Sequence, residues 1–225
     1  MAFALVNNPA RLGLGGGFFG ISGVTPSFVV EFDTYWNPGF ADPMFDHMSI
    51  ASNGNVAHSN LQNLAGPVSM QPDSSNVEDC QEHDVRLTWD PVTDSFKVYF
   101  DCELRLSYQG DISANFFGGT RLLYWGMSAA TASRYNYHSF CLDYLGVVLP
   151  LRDTTICIGD TVNLNTGTGF SYAWSPATNI SDLNVPNPRV WPTATTMYTV
   201  IVTDECGGER YDTVLITVDL PSDLG

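Results

Sequence analysis

The chain has 225 residues, 44% of them hydrophobic, enough to bury one large or two modest cores. Nine basic against 24 acidic residues give a formal net charge of -15, which repels phosphate backbones and anionic lipid and argues against nucleic acid as a partner. No run of about 18 or more apolar residues is present, so membrane insertion is not expected, and the opening MAFALVNNPARL has neither a basic region nor a small-residue cleavage site.

Any export signal is therefore expected outside this chain. Only 15% of residues are charged, lysine is nearly absent, and Gly, Asn, Ser, Thr and aromatic residues are plentiful, which favours a β-rich extracellular protein. Five cysteines without metal-finger spacing fit disulfides in an oxidising compartment better than zinc ligation.

The first clear strand is SFVVEFDT, residues 27–34. Its side chains alternate, so Phe28, Val30 and Phe32 share one face while Glu31 and Asp33 stand side by side on the other. Like charges so placed repel unless a cation sits between them, and an oxygen-rich set suits calcium or manganese. The next loop, TYWNPGFADPMFDH, adds Asn37, Asp42 and His47, with Pro38 and Pro43 stiffening the backbone. The residues alone leave two readings open, a metal site and an acidic, solvated loop.

Further strands follow at HDVRLTW, SFKVYFDC and RLLYWGMSA; the short turn WDPVTDSF can join only antiparallel neighbours. Near GVVLPLRDTT the residues become smaller and richer in Thr, which sets a boundary between a first domain, 1–149, and a second, 150–225. The second carries TVNLNT, FSYAWS, MYTVIVTD and YDTVLITVD around a central tryptophan, at β-sandwich spacing. No long amphipathic helix is legible, and the chain is predicted to be all-β.

The pattern Glu31-x-Asp33-x-Tyr35-x-Asn37, then Asp42-Pro43 and His47, resembles the metal loop of the legume-type (L-type) lectins. The resemblance implies a transition ion, usually manganese, on Glu31, Asp33, Asp42 and His47. It implies calcium on Asp33, Asp42, Asn37 and the carbonyl of Tyr35. Upstream, GLGGGFFG is similar to the glycine-rich loop whose amide touches the sugar, a contact that falls on Gly17; downstream, YWGMSAATASRYNYHSF is similar to the last core strand and the specificity loop, at Ser133 and Arg134. A basic Arg134 departs from the family's usual pattern. His138 is read either as facing the sugar or as a hydrogen-bonded structural residue.

The fold so implied is a concanavalin-like jelly-roll β-sandwich. It is read as partial, because the family's key sugar-binding aspartate falls before Met1. The second segment resembles the immunoglobulin-like or PKD-like repeats of large secreted bacterial surface proteins through DTTICIGDTVNL, YAWSPAT, PTATTMYTVIVTDECG and DTVLITV, a smaller sandwich serving as a spacer.

A hairpin centred on WDPVTD pairs residues whose numbers sum to about 184, which predicts a Cys80–Cys102 bridge. Cys157 and Cys206, at the ends of two strands, are expected to form a second. Cys141 is left over, as a buried thiol or one paired elsewhere.

The function expected is a calcium- and manganese-dependent carbohydrate-binding module of a secreted or cell-surface bacterial adhesin. Its partners would be extracellular glycans and neighbouring modules of the same polypeptide, with room for a homo-oligomer. The alternative is a building block of a surface filament that binds no sugar. Enzymatic activity is not expected: Tyr35 and Trp36 stand where related glycoside hydrolases carry a third acid, and no Gly-x-Ser-x-Gly elbow occurs.

Overall fold

The alternation in 27–33 that separates apolar from acidic side chains is also what builds the first sheet. The computed structural model describes residues 1–9, 13, 15–120, 122–131, 138–142 and 151–219. The chain divides into two compact units, Met1–Phe140 and Cys141–Gly225. The expected boundary at 149/150 lies outside the described residues. No helix among the described residues is long and apolar enough to cross a membrane.

In the first unit, β1 (Ala2–Val6), β2 (Ser27–Asp33), β3 (His47–Ser52) and β4 (Asn63–Ser69) precede β5 (Val85–Asp90), β6 (Ser95–Phe100) and β7 (Glu103–Gln109). A short helix α1 (Ile112–Phe117) and β8 (Tyr124–Ser128) follow. Two antiparallel sheets result, one in the order β4-β3-β2-β1-β8 and one in the order β5-β6-β7. Phe28, Val30 and Phe32 of β2, with Met48 and Ile50 of β3, pack against Phe96, Val98 and Phe100 of β6 and Leu106 of β7. This is the apolar layer of a sandwich, which sheets with one hydrophobic face must form.

α1 is capped by Asp111, whose Oδ1 accepts from the Ala114 amide at 2.8 Å, and it adds Ile112 and Phe117 to the same core. On the opposite face of the five-stranded sheet, Ala2 and Val29 are covered by Phe19, Ile21 and Val56 from the loops. The strand β2 is thus buried along its whole length, and its polar residues are buried with it.

The second unit comprises β9 (Thr154–Cys157), β10 (Val162–Asn163), β11 (Ser171–Ser175), β12 (Arg189–Val190), β13 (Thr196–Thr203) and β14 (Glu209–Asp219). A four-stranded sheet, β11-β13-β14-β9, and a two-stranded one, β10-β12, share a core of Leu164, Trp174, Val190, Tyr198, Val200, Val202, Val214 and Ile216. This small sandwich is therefore centred on the tryptophan of YAWSP. The Trp174 indole N–H donates to the Val185 carbonyl at 2.8 Å. Trp174→Phe keeps most of the apolar volume but orphans that carbonyl, so the second unit should lose about 1–3 kcal/mol, read as a shift of its own calorimetric transition.

Neither expected cysteine pair is formed. Cys80 and Cys157, one member of each expected pair, are exposed free thiols, as is Cys141. The ladder between β5 and β6 ends at Val85↔Phe100. Beyond it Asp101 and Cys102 adopt positive φ and turn the chain into β7, so the hairpin does not extend to Cys80. In the second unit Cys157 lies opposite Asp219 at the far end of β14, whereas Cys206 precedes its first residue, Glu209. Eleven residues of strand put the two on the order of 30 Å apart, far beyond disulfide reach.

Candidate metal centre and the surface beside it

The β2/β3 register places Glu31 opposite Ser49 and Asp33 opposite His47, all four on the face turned away from the sandwich core. Each is nearly inaccessible, with Glu31 at 2% and His47 at 1% exposure. Asp42 reaches the same spot from the loop that joins the strands, where a short turn at Pro38–Phe40 folds the chain back. Two backbone donors fix that loop on the acids: the Tyr35 amide donates to Asp33 Oδ1 at 2.8 Å, and the Asn37 amide to Asp42 Oδ2 at 2.7 Å. Ligand atoms of Asp33, Asp42 and His47 lie within 4.8 Å of one another, and so do those of Glu31, His47 and His58.

Burial dominates the electrostatics. It raises the Glu31 pKa to about 7, opposed by a 2.7 Å hydrogen bond from the Ser49 hydroxyl, and it raises that of Asp33 to about 6. It lowers the pKa of His47. His47 Nδ1 faces the Phe45 carbonyl at 3.2 Å, so that nitrogen carries the proton and the Nε2 lone pair is turned into the cluster.

Three buried oxygens of the cluster, Glu31 Oε1, Asn37 Oδ1 and Asp42 Oδ1, find no hydrogen-bond donor among the described residues. Buried acceptors of this kind are costly unless something positive answers them. A divalent cation is such a partner, and oxygen-rich sets with a neutral imidazole are what such ions take. The residues therefore fit a metal.

His58 completes the cluster, and it was not anticipated. Its side chain is 3% exposed, with Nε2 at 3.3 Å from Asp42 Oδ1 and 3.0 Å from His47 Nε2. Burial works against its charged form, yet the nearby carboxylates of Asp42 and Glu31 hold its pKa above the ordinary value. The loop after β3 delivers it. Gly54 turns with φ 66° where a Cβ would stand 2.3 Å from the Ile21 carbonyl oxygen, so only glycine fits. The Asn55 side chain then brackets Ala57, and the His58 amide donates to the Phe40 carbonyl at 2.9 Å. A lone histidine eleven residues beyond His47 carries no spacing signal; only the asparagine turns around it hint at a shaped loop.

Asp46, which has no part in the expected ligand sets, accepts from the Val77 amide at 2.9 Å and so anchors the segment leading to β5. Tyr35 is 51% exposed on the rim of the cluster, and Trp36 beside it donates its indole N–H to the Asp42 carbonyl at 3.2 Å. Gly17 lies in a short turn, Gly16–Phe18, whose Phe18 packs on Phe40 of the metal loop with ring centroids 5.3 Å apart. The glycine-rich and acidic loops are thus neighbours. Ser133 and Arg134 lie outside the described residues. His138 is partly exposed, and burial lowers its pKa.

Residues 1–144 match the family model described as the legume lectin beta-barrel domain. Among solved structures, the chain is similar to one titled "Solution structure of the PKD domain from KIAA 1837 protein", at 19% identity over 39% of this chain and 98% of that one, with a TM-score of 0.29. It is also similar to "Crystal structure of Down Syndrome Cell Adhesion Molecule (DSCAM) isoform 1.30.30, N-terminal eight Ig domains", at 12% identity over 79% of this chain, 22% of that one, with a TM-score of 0.24. With the family match covering well over half of its sequence, the chain belongs to the legume-type lectin family.

Proposed function

We propose that the first unit is a metal-dependent carbohydrate-binding module and that the second is its spacer on a secreted or cell-surface bacterial adhesin. The observation that carries this reading is the set of three buried, unanswered oxygens on Glu31, Asn37 and Asp42, next to an exposed tyrosine. Glu31, Asp33, Asp42 and His47 would hold a transition ion such as manganese. Asp33, Asp42, Asn37 and the Tyr35 carbonyl would hold calcium, with the two aspartates shared. The ions supply order and positive charge to the loop and take no part in bond making.

The chain's own groups would hold the sugar. With Asn37 Oδ1 turned toward an ion, its amide hydrogens are directed to a sugar hydroxyl. The ring of Tyr35 offers a flat face to the C–H side of a pyranose. A backbone N–H at Gly17 can approach closely because no side chain intervenes, and Ser133 and Arg134 would tune preference among sugars. Because the loop is already pinned by Asp33 and Asp42, little entropy is lost on binding. Partners are then extracellular glycans and adjoining modules, with a homo-oligomer as a further means to avidity.

A glycan array probed with the calcium- and manganese-loaded protein, beside Asn37→Ala, tests the reading. Specific hits that fall at least tenfold in the variant are the expected result. An array without hits at any metal concentration would favour a building block that binds no sugar.

A further inference from the structure

We propose that His58 Nε2 is a direct ligand of the transition ion, giving the site a second imidazole, and that the site thereby selects a borderline ion of the zinc class over manganese. The inference rests on the metal-binding reading above and adds a residue and a preference to it. Two donor atoms that each lie about 2.1 Å from one ion stand about 3.0 Å apart at a right angle and about 3.4 Å apart at the tetrahedral angle. His58 Nε2 is 3.0 Å from His47 Nε2 and 3.3 Å from Asp42 Oδ1, with Glu31 Oε2 at 3.8 Å. Those are the spacings of atoms arranged around a shared centre.

The orientation of His47 strengthens the case. Its Nδ1 hydrogen is committed to the Phe45 carbonyl, so its Nε2 presents a lone pair toward His58. Asp42 Oδ1 is an acceptor without a hydrogen-bond donor and points to the same place. The backbone that carries His58 is held in place, since its amide is tied to Phe40 and its carbonyl accepts from the Asn63 side chain at 3.4 Å.

Donor chemistry then decides the ion. Carboxylates and water suit manganese, whereas imidazole nitrogens suit zinc, cobalt, nickel and copper. Exchanging an oxygen donor for a second nitrogen widens the gap between zinc and manganese at a site both can enter.

Zinc and manganese dissociation constants for the whole chain and for His58→Ser, measured by chelator competition, test this. Pulsed electron paramagnetic resonance of the copper-loaded protein counts the imidazoles independently. The expected result is two imidazoles in the parent and one in the variant, with zinc affinity falling at least tenfold and manganese affinity less than threefold. One imidazole in the parent, or an unchanged zinc-to-manganese ratio in the variant, would overturn the assignment of His58 while leaving metal binding intact. If the parent binds neither ion, both this assignment and the proposed function fall. Should His58→Ser not fold, the copper spectrum of the parent still decides.

Discussion

Stripping divalent ions from the protein with EDTA at pH 7.5 should abolish glycan retention and lower the melting temperature of the first unit, while the transition of the second unit stays where it is. A ligand at a hundredfold excess over its dissociation constant stabilises by about 2.7 kcal/mol, which for a unit of this size is roughly 5–11 °C. The gap should also depend on pH, in a direction fixed by the buried acids. Without an ion, Glu31 titrates near 7 rather than 4.5 and Asp33 near 6 rather than 3.8. Both carboxyls hold their proton more tightly folded than unfolded, so the folded chain carries the extra protons between about pH 4 and 7. The stability these two carboxyls contribute to the stripped protein is therefore greatest below about pH 4 and declines as the pH rises, by up to about 3 kcal/mol for each group once pH 7 is passed. Ion binding requires the ionised forms, so its contribution grows across the same interval. Differential scanning calorimetry of loaded and stripped protein at pH 5, 6 and 7.5 should show a widening separation. A separation that does not change with pH, or no response to EDTA, would remove the metal site from the account.

Phe28→Ala should be the most damaging single truncation in the first unit, costing about 3–5 kcal/mol. Phe28 is fully buried in β2 and meets three rings, Phe96 at 5.0 Å, Tyr108 at 5.5 Å and Phe116 at 5.6 Å. Two of these belong to the opposing sheet and one to α1, so the ring joins all three parts of the core. Neighbouring aromatic side chains cannot collapse into the space without leaving their own contacts, which keeps the cavity open and the penalty high. Urea unfolding is the measurement: the midpoint should drop with little change in slope. Because Glu31 lies three residues along the same strand, metal should bind the folded variant and restore part of the loss. A penalty near 1 kcal/mol would show that the sheets are held together elsewhere.

The legibility of this chain follows the periodicity of its strands. β2 alternates apolar and acidic residues, and that one stretch disclosed both the core face and the ligand face. β3, by contrast, is buried on both sides and reads HMSIAS without a clean alternation, while β4 is interrupted by Gly66-Pro67, so neither stands out as a strand. The loop itself offered Asp42 and His47 as candidates and the resemblance to the lectin loop gave them roles, but their convergence on Glu31 and Asp33 depends on a pairing between strands that composition cannot reveal. His58 escaped for the same reason: it comes from a different loop and meets the others only through the fold. The cysteines show the converse failure, in which a sound local rule, hairpin symmetry, was extended past the point where the chain turns away.

The pairing of β9 with β14 is parallel, over Thr154–Cys157 and Ile216–Asp219, although these are the first and last strands of their unit. The polypeptide thus enters and leaves that unit travelling in one direction. Tension along the chain would pull the two strands past each other and load all their shared hydrogen bonds at once, in shear, where an antiparallel pair of terminal strands would be peeled apart one bond at a time. A unit so wired would yield late under mechanical load, as the proposed role of spacer would require.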